Sequence, residues 1–286
     1  MTYDSQPEAD AVISANRLPA APSESMFPRL HQPHESLLSP SIQRTRGESI
    51  PAYELKFVVS EDVARRIEAW AEKHLDRDAY AGLHLGGSYQ TTTLYLDTPA
   101  FDVLHRSPGF RRRKFRLRRY GEELTIFLER KARWSDRVKK RRSAVTLPDL
   151  ARLNEADVAV GEMHIEHPWS WFRDRIQLRG LRPSCRLTYQ RTAFVKPDAA
   201  GPLRLTFDRS IRGVPTTDWD LSPVESAAAN CTNVLPGQVV CEFKFREAMP
   251  ALFKDVINDL QLQTGSVSKY RRVMTSDGAS EAGAHA

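Results

Sequence analysis

Three short stretches of this chain repeat one arrangement, a Glu two residues ahead of a Lys: Glu54 and Lys56, Glu129 and Lys131, Glu242 and Lys244. Side chains two apart on a strand project to the same side, so each stretch sets a carboxylate and an ammonium on one face. The middle pair lies in residues 110–131, FRRRKFRLRRYGEELTIFLERK. There Lys114, Arg116 and Arg118 line one face, Phe115 and Leu117 line the other, and Tyr120, Gly121 and Glu122 reverse the chain. In the returning run Leu124, Ile126 and Leu128 stand opposite Thr125, Phe127, Glu129 and Lys131. This is the pattern of a β-hairpin with one cationic face. Arg forks and Lys ammoniums match phosphate oxygens. Carboxylates set among them suit a hard divalent ion, Mg2+ or Mn2+, bridging the same phosphates.

The elements that must hold these faces can be read in chain order. Residues 1–49 carry scattered Pro, Ser, Ala and His without periodicity, the composition of a disordered segment. A strand follows at 50–59, with Tyr53, Leu55 and Phe57 opposite Glu54 and Lys56. Ser60 is placed to cap a helix that carries Glu61 and Asp62 in its first turn and runs to His74 or Leu75. Further strands are expected at 89–97, 137–146, 183–194, 203–208 and 239–246, with a helical turn at 100–105 and helices starting near Pro168 and Pro250. In the run RVKKRRSAVT, Lys139 and Arg141 share one face and Lys140 and Arg142 the other. Residues 210–238 read as an irregular excursion, and the end of the chain, 274–286, as a disordered tail. His164 and His167, without a third ligand nearby, are given no role.

The 286 residues carry a formal charge of +6, which points to an anionic partner: nucleic acid, anionic lipid or a phosphate compound. No run reaches the ~18 apolar residues of a bilayer span, and no signal peptide is evident, so the reading is a soluble, cytoplasmic protein. Cys185, Cys231 and Cys241 lack CxxC spacing and support neither a disulfide framework nor a zinc site.

About seven strands with one apolar and one charged face can form an open sheet whose charges are solvated, or a barrel with the charges inside. Two features favour the barrel. The charged faces are strongly biased to Arg and Lys, where a solvated face mixes signs. Their few carboxylates recur in the same Glu-x-Lys setting, which a closed sheet would gather into one space.

The order of motifs ELKF, TLYLDT, RLRRYG, LERK, KKR, YQRTAF, LRLTFD, CEFKF and SKY over roughly residues 50–273 resembles the VTC domain. That is the polyphosphate polymerase domain of the vacuolar transporter chaperone complex, one of the triphosphate tunnel metalloenzymes or CYTH superfamily. The resemblance implies an α+β fold, a closed antiparallel β-barrel with flanking helices, that binds ATP and inorganic polyphosphate with Mn2+ or Mg2+. By motif it implies that Lys56, Arg116, Arg118, Lys131, Arg191, Arg204 and Lys269 act on the reacting phosphates. Lys114, Lys139, Arg141, Lys244, Tyr189 and Ser268 would contribute to substrate binding, and Glu242, Glu129 and Glu54 to the metal. Ala52 stands where hydrolytic relatives carry the first Glu of ExExK, which tilts the reading away from a simple triphosphatase. Neither a phosphate-sensing helical domain nor membrane helices of the kind found in eukaryotic complexes are read in this chain, although a membrane partner fits.

The leading expectation is therefore a polyphosphate polymerase, followed by a tripolyphosphatase or nucleoside triphosphatase, then a non-catalytic polyphosphate-binding module. Nucleic acid is not expected, because the basic strands lack interleaved exposed aromatics and a recognition helix.

Overall fold

A computed structural model describes residues 46–48, 50–82, 85–154 and 167–276. In chain order it contains β1 (Arg46–Glu48), β2 (Ala52–Ser60), α1 (Glu61–His74), β3 (Asp76–Arg77), α2 (Ala79–Gly82), β4 (Ser88–Asp97), α3 (Asp102–His105), β5 (Arg113–Tyr120), β6 (Thr125–Trp134) and β7 (Arg137–Thr146). Then come α4 (Asp149–Asn154), α5 (Ser170–Arg179), β8 (Arg182–Lys196), β9 (Leu203–Pro215), β10 (Thr232–Val234), β11 (Gln238–Phe245), α6 (Ala251–Asp259) and α7 (Lys269–Ser276).

Neighbouring strands run β9-β11-β2-β7-β6-β5-β4-β8, and β8 pairs back onto β9, which closes a barrel of 8 antiparallel strands. Two tight hairpins build its β5–β7 wall, and their turns demand positive φ: Gly121 at 50° and Ser135 at 52°. Closure removes the sheet edges that an open arrangement would leave.

The apolar faces lie outside, under the helices. Ser60 accepts a hydrogen bond from the Val63 amide at 3.3 Å and starts α1 where its capping chemistry requires. That helix buries Ala64, Ile67 and Ala71 with Phe57, Leu205, Phe207 and Phe243 of the barrel and with Phe253 and Val256 of α6. On the opposite flank α5 brings Phe172 and Ile176 against Leu94, Leu96, Phe115, Leu117, Ile126 and Leu128. Each fully buried Leu or Phe contributes about 1.5–3 kcal/mol, so the outer layers hold the barrel together while the inside stays polar.

Several sequence expectations change. Residues 210–238 are not all irregular: β9 continues to Pro215, and β10 pairs with it in the register Val234 to Ile211. The alternation past Asp208 is interrupted by a bulge on β9, where the three steps from Arg209 to Arg212 face only two on β8, from Gln190 to Thr188, and Ser210 takes a positive φ of 49°; a bulge breaks the period-two signal. Arg46–Glu48, read as part of a disordered segment, pairs with Ser143, Arg142 and Arg141 of β7. Backbone pairing with an available strand needs no apolar periodicity. The rest of 1–49 lies outside the described residues, as do His164 and the tail beyond Ser276. Residues 274–276 complete α7.

Candidate functional site in the barrel lumen

The two hairpins fix the first part of the lumen. Register places Lys114 opposite Lys131 and Lys131 opposite Lys140, and one step deeper Arg116 opposite Glu129 and Glu129 opposite Arg142. Glu129 is fully buried. Arg116 donates to it at 2.7 Å, Arg142 at 2.8 Å, and Lys140 lies 3.8 Å away. Burial alone would raise the Glu129 pKa, but Arg116, Arg142 and Lys140 together hold it well below the usual carboxylate range. Arg142 also donates to the Tyr120 hydroxyl at 2.8 Å.

On the β2–β11 wall the carboxylates have a looser setting. Glu242 is the cross-strand neighbour of Lys56 and Glu54 that of Lys244. The Lys56 ammonium lies 3.2 Å from Glu242, and Lys131 reaches across to Glu54 at 2.5 Å. Burial and then the charge of Glu242 push the Glu54 carboxyl up, and Lys131, Lys56 and Lys244 outweigh them to leave it lowered. Glu54 and Glu242 thus share one space, bounded by lysines.

The third wall is β8, β9 and the start of α7. Arg191 grips Asp208 with two donors at 2.6 and 2.8 Å, and Lys269 donates to the same carboxylate at 2.6 Å. The Tyr189 ring lies 5.2 Å from the Arg191 guanidinium and 4.9 Å from the Lys269 ammonium, a cation–π floor beneath both. Ser268 accepts from Lys114 at 3.0 Å. Arg204 donates to the buried Asp78 at 2.5 Å and to Tyr89 at 3.3 Å.

After these pairings the lumen still holds an excess of cations. Arg118 donates to the Thr93 hydroxyl at 3.3 Å and is in no ion pair among the described residues, nor is Lys244. Burial and then neighbouring cations, partly opposed by Tyr95, lower Lys114 to about 8. Lys140 and Lys244 are lowered for the same two reasons, against the pull of Glu129 on the first and of Glu54 and Glu242 on the second. Burial would raise Tyr95, yet Arg116, Lys114, Arg118 and Lys269 bring it down to about 7. The buried hydroxyls of Thr91 and Thr206 have no hydrogen-bond partner among the described residues. Unpaired buried cations and orphaned hydroxyls are both costly, and an anion rich in oxygen would satisfy all of them. Tyr80, Tyr89, Tyr120 and Phe127 cluster with Ala193 where these rows end, and Tyr80 meets Tyr89 edge-on at 4.7 Å.

The model of the VTC domain family matches residues 51–276. The chain belongs to the VTC domain family. No curated protein matches the sequence. Among solved structures it is similar to a Bacillus halodurans protein described as a candidate adenylate cyclase (13% identity, 78% of this chain and 95% of that one, TM-score 0.44). It is also similar to the PH1819 protein of Pyrococcus horikoshii (10%, 79% and 99%, TM-score 0.40). A third is the Hippeastrum protein HpAC1, named as a candidate adenylyl cyclase and described as having a dominant triphosphatase activity (12%, 80% and 96%, TM-score 0.43).

In this VTC domain the expected residues largely converge. Lys56, Lys114, Arg116, Arg118, Lys131, Tyr189, Arg191, Arg204, Lys244, Ser268, Lys269, Glu54, Glu129 and Glu242 all belong to the lumen rows and the contacts between them. Lys139 and Arg141 do not. They alternate with Lys140 and Arg142, which the register against Lys131 and Glu129 turns inward, so Lys139 is exposed and Arg141 stacks over Trp171 of α5 at 4.4 Å. Lys140 and Arg142 are the lumen residues that the motif missed. Hairpin register could have found them: counting back from the turn at Ser135 and Asp136 pairs Lys131 with Lys140. Asp208, on the face of Arg204, was visible as a position but not as a partner of Arg191, because that needs the β8–β9 pairing.

Glu129 is also reassigned. Enclosed by Arg116, Arg142 and Lys140, it has no open side for a metal, whereas Glu54 and Glu242 face lysines and the open lumen. No three His, Cys, Asp or Glu side chains converge into a metal cluster among the described residues. Glu242 and Glu54 would hold Mg2+ or Mn2+ through their hard carboxylate oxygens, and the ion would supply positive charge to bound phosphates.

Proposed function

We propose that the lumen binds ATP and inorganic polyphosphate and transfers the γ-phosphoryl group to the end of the phosphate chain. The observation that carries this reading is the surplus of buried cations, Lys114, Arg118 and Lys244, none of them in an ion pair among the described residues, whose charge a polyanion inside the barrel would balance. Phosphoryl transfer needs positioning and neutralisation more than a protein nucleophile. In this reading Arg116, fixed by Glu129, and Arg191, fixed by Asp208, are preorganised forks for phosphate oxygens. Lys56, Lys131 and Lys244 neutralise the charge that grows on the bridging oxygen of the leaving ADP. A terminal oxygen of the chain attacks the γ-phosphorus as that bridging bond breaks. A divalent ion held by Glu242 and Glu54 would supply further charge neutralisation.

A hydrolase, with water as the attacking group, is the second reading. The packed rings of Tyr80, Tyr89, Tyr120 and Phe127 favour it, since bulky side chains crowded beside the basic rows leave more room for a short substrate than for a threading chain.

Incubation with ATP and Mn2+, followed by separation of long-chain polyphosphate from orthophosphate, distinguishes the two. Long chains are expected. Orthophosphate alone selects the hydrolase, and binding of polyphosphate without turnover reduces the domain to a binding module.

A further inference from the structure

The wall formed by β5, β6 and β7 is cationic on both faces. Successive residues of a strand point to opposite sides, so Arg113, Arg130 and Arg141 stand outside, directly behind Lys114, Lys131 and Lys140. Arg130 and Arg141 are cross-strand partners, a placement of like charges that disfavours a sheet. Helix α5 adds Arg175 and Arg179 beside them. Burial and then Arg113, Arg175 and Arg130 lower the pKa of Arg179, which records how closely these guanidiniums crowd.

Two of the guanidiniums are held on aromatic platforms. Arg179 lies 4.9 Å from the Phe110 ring and donates to the Gly109 carbonyl at 3.3 Å, while Arg141 lies 4.4 Å from Trp171. Arg113, Arg175 and Arg179 are in no ion pair among the described residues. Arg175 and Arg179 border a surface cleft with Phe110, Thr98, Leu178 and Asp102. The carboxylate of that Asp102 is occupied by the Thr98 hydroxyl at 2.7 Å.

We propose that this outer arginine track, Arg113, Arg130, Arg141, Arg175 and Arg179, holds the part of a long polyphosphate chain that extends beyond the lumen. The proposal rests on the reading that the lumen takes polyphosphate. Three features select a bare phosphate chain. The track begins one residue from the lumen's own Lys114–Lys131–Lys140 row, so a chain leaving the barrel past β5 reaches it without dissociating. Guanidinium forks match successive phosphates in two-pronged fashion. The Phe110 and Trp171 rings each already carry a guanidinium on one face, which makes them supports for phosphate-binding arginines rather than a row of stacking platforms for nucleobases. A second site joined to the first by the chain itself raises affinity for long chains and does nothing for short ones.

The test compares the Arg175→Ala/Arg179→Ala double variant with the parent, titrating tripolyphosphate and long-chain polyphosphate separately in EDTA. Tripolyphosphate affinity should stay within about twofold, whereas long-chain affinity should fall roughly tenfold. The salt slope for the long chain should become shallower by about 0.7 per lost contact. An Arg175→Lys/Arg179→Lys variant should recover part of the loss. Unchanged long-chain affinity overturns the proposal, and so does an equal fall for both ligands, which would place the effect in the lumen or in folding. Loss of binding to phosphatidylglycerol vesicles with long-chain affinity intact would also overturn it, assigning the surface to lipid headgroups. If the parent binds neither phosphate ligand, the lumen reading fails first, and that failure is separate from any effect of the two arginines.

Discussion

Glu129 and Glu242 sit in the same Glu-x-Lys setting on two walls of one barrel, and the walls put them to different uses. The β5–β7 wall closes two guanidiniums and an ammonium around Glu129 until no part of it meets solvent. The β2–β11 wall leaves Glu242 about a quarter exposed, 3.2 Å from one lysine. A carboxylate held by two Arg forks has fixed oxygens and fixes the forks in return. One facing a flexible ammonium can exchange that partner for a metal. The comparison teaches that spacing sets which face a carboxylate joins, while its cross-strand neighbours decide whether its oxygens are locked in place or left accessible.

Removing the locked carboxylate should have the largest effect. Glu129→Ala leaves Arg116 and Arg142 buried without their counter-charge, a loss of about 3–5 kcal/mol, seen as a lower denaturation midpoint in chemical unfolding. If Glu129→Ala unfolds like the parent while losing metal affinity, the two carboxylates have been assigned the wrong way round. Glu242→Ala should keep the parent's unfolding midpoint and keep or tighten metal-free polyphosphate binding, because one repulsive charge is gone. Turnover in Mn2+ should fall at least a hundredfold, about 2.7 kcal/mol of transition-state stabilisation. Activity within about threefold of the parent would make Glu242 only a charge partner of Lys56.

A smaller effect sharpens the contrast between charge-balanced and surplus positions. The Lys114 pKa in the folded protein is lowered to about 8, below its ordinary value of 10.5. Between those two pH values the unfolded chain binds the proton that the folded chain lacks, so the ligand-free protein gains stability as pH rises through that window. A polyanion favours the ammonium and reverses the shift. Binding of tripolyphosphate near pH 9 should therefore take up about one more proton in the parent than in Lys114→Arg. Calorimetry in buffers of different ionisation enthalpy measures it, and equal uptake in the two proteins would remove Lys114 from the site.

Much of the candidate site is legible in the sequence. Period-two alternation separated Lys114, Arg116 and Arg118 from Phe115 and Leu117, and the same alternation placed Glu54 with Lys56 and Glu242 with Lys244. Ser60 and the acidic pair after it located the start of α1, where the N-cap hydrogen bond forms. These are local properties, set by backbone geometry and by groups a few residues apart, so they can be read from the chain itself. The error at Lys139 and Arg141 has the complementary cause. Both parities of RVKKRRSAVT are cationic, so composition cannot choose between them, and only the pairing of β7 with β6 turns Lys140 and Arg142 inward. How Glu54 and Glu242 come to share one space with Lys131, and which cations are left without a counter-charge, depend on pairings between strands distant in the chain, β11 with β2, β2 with β7 and β4 with β8. A strand's own sequence sets the alternation of its faces, and the neighbours it acquires on closing the barrel set the charge that each face meets.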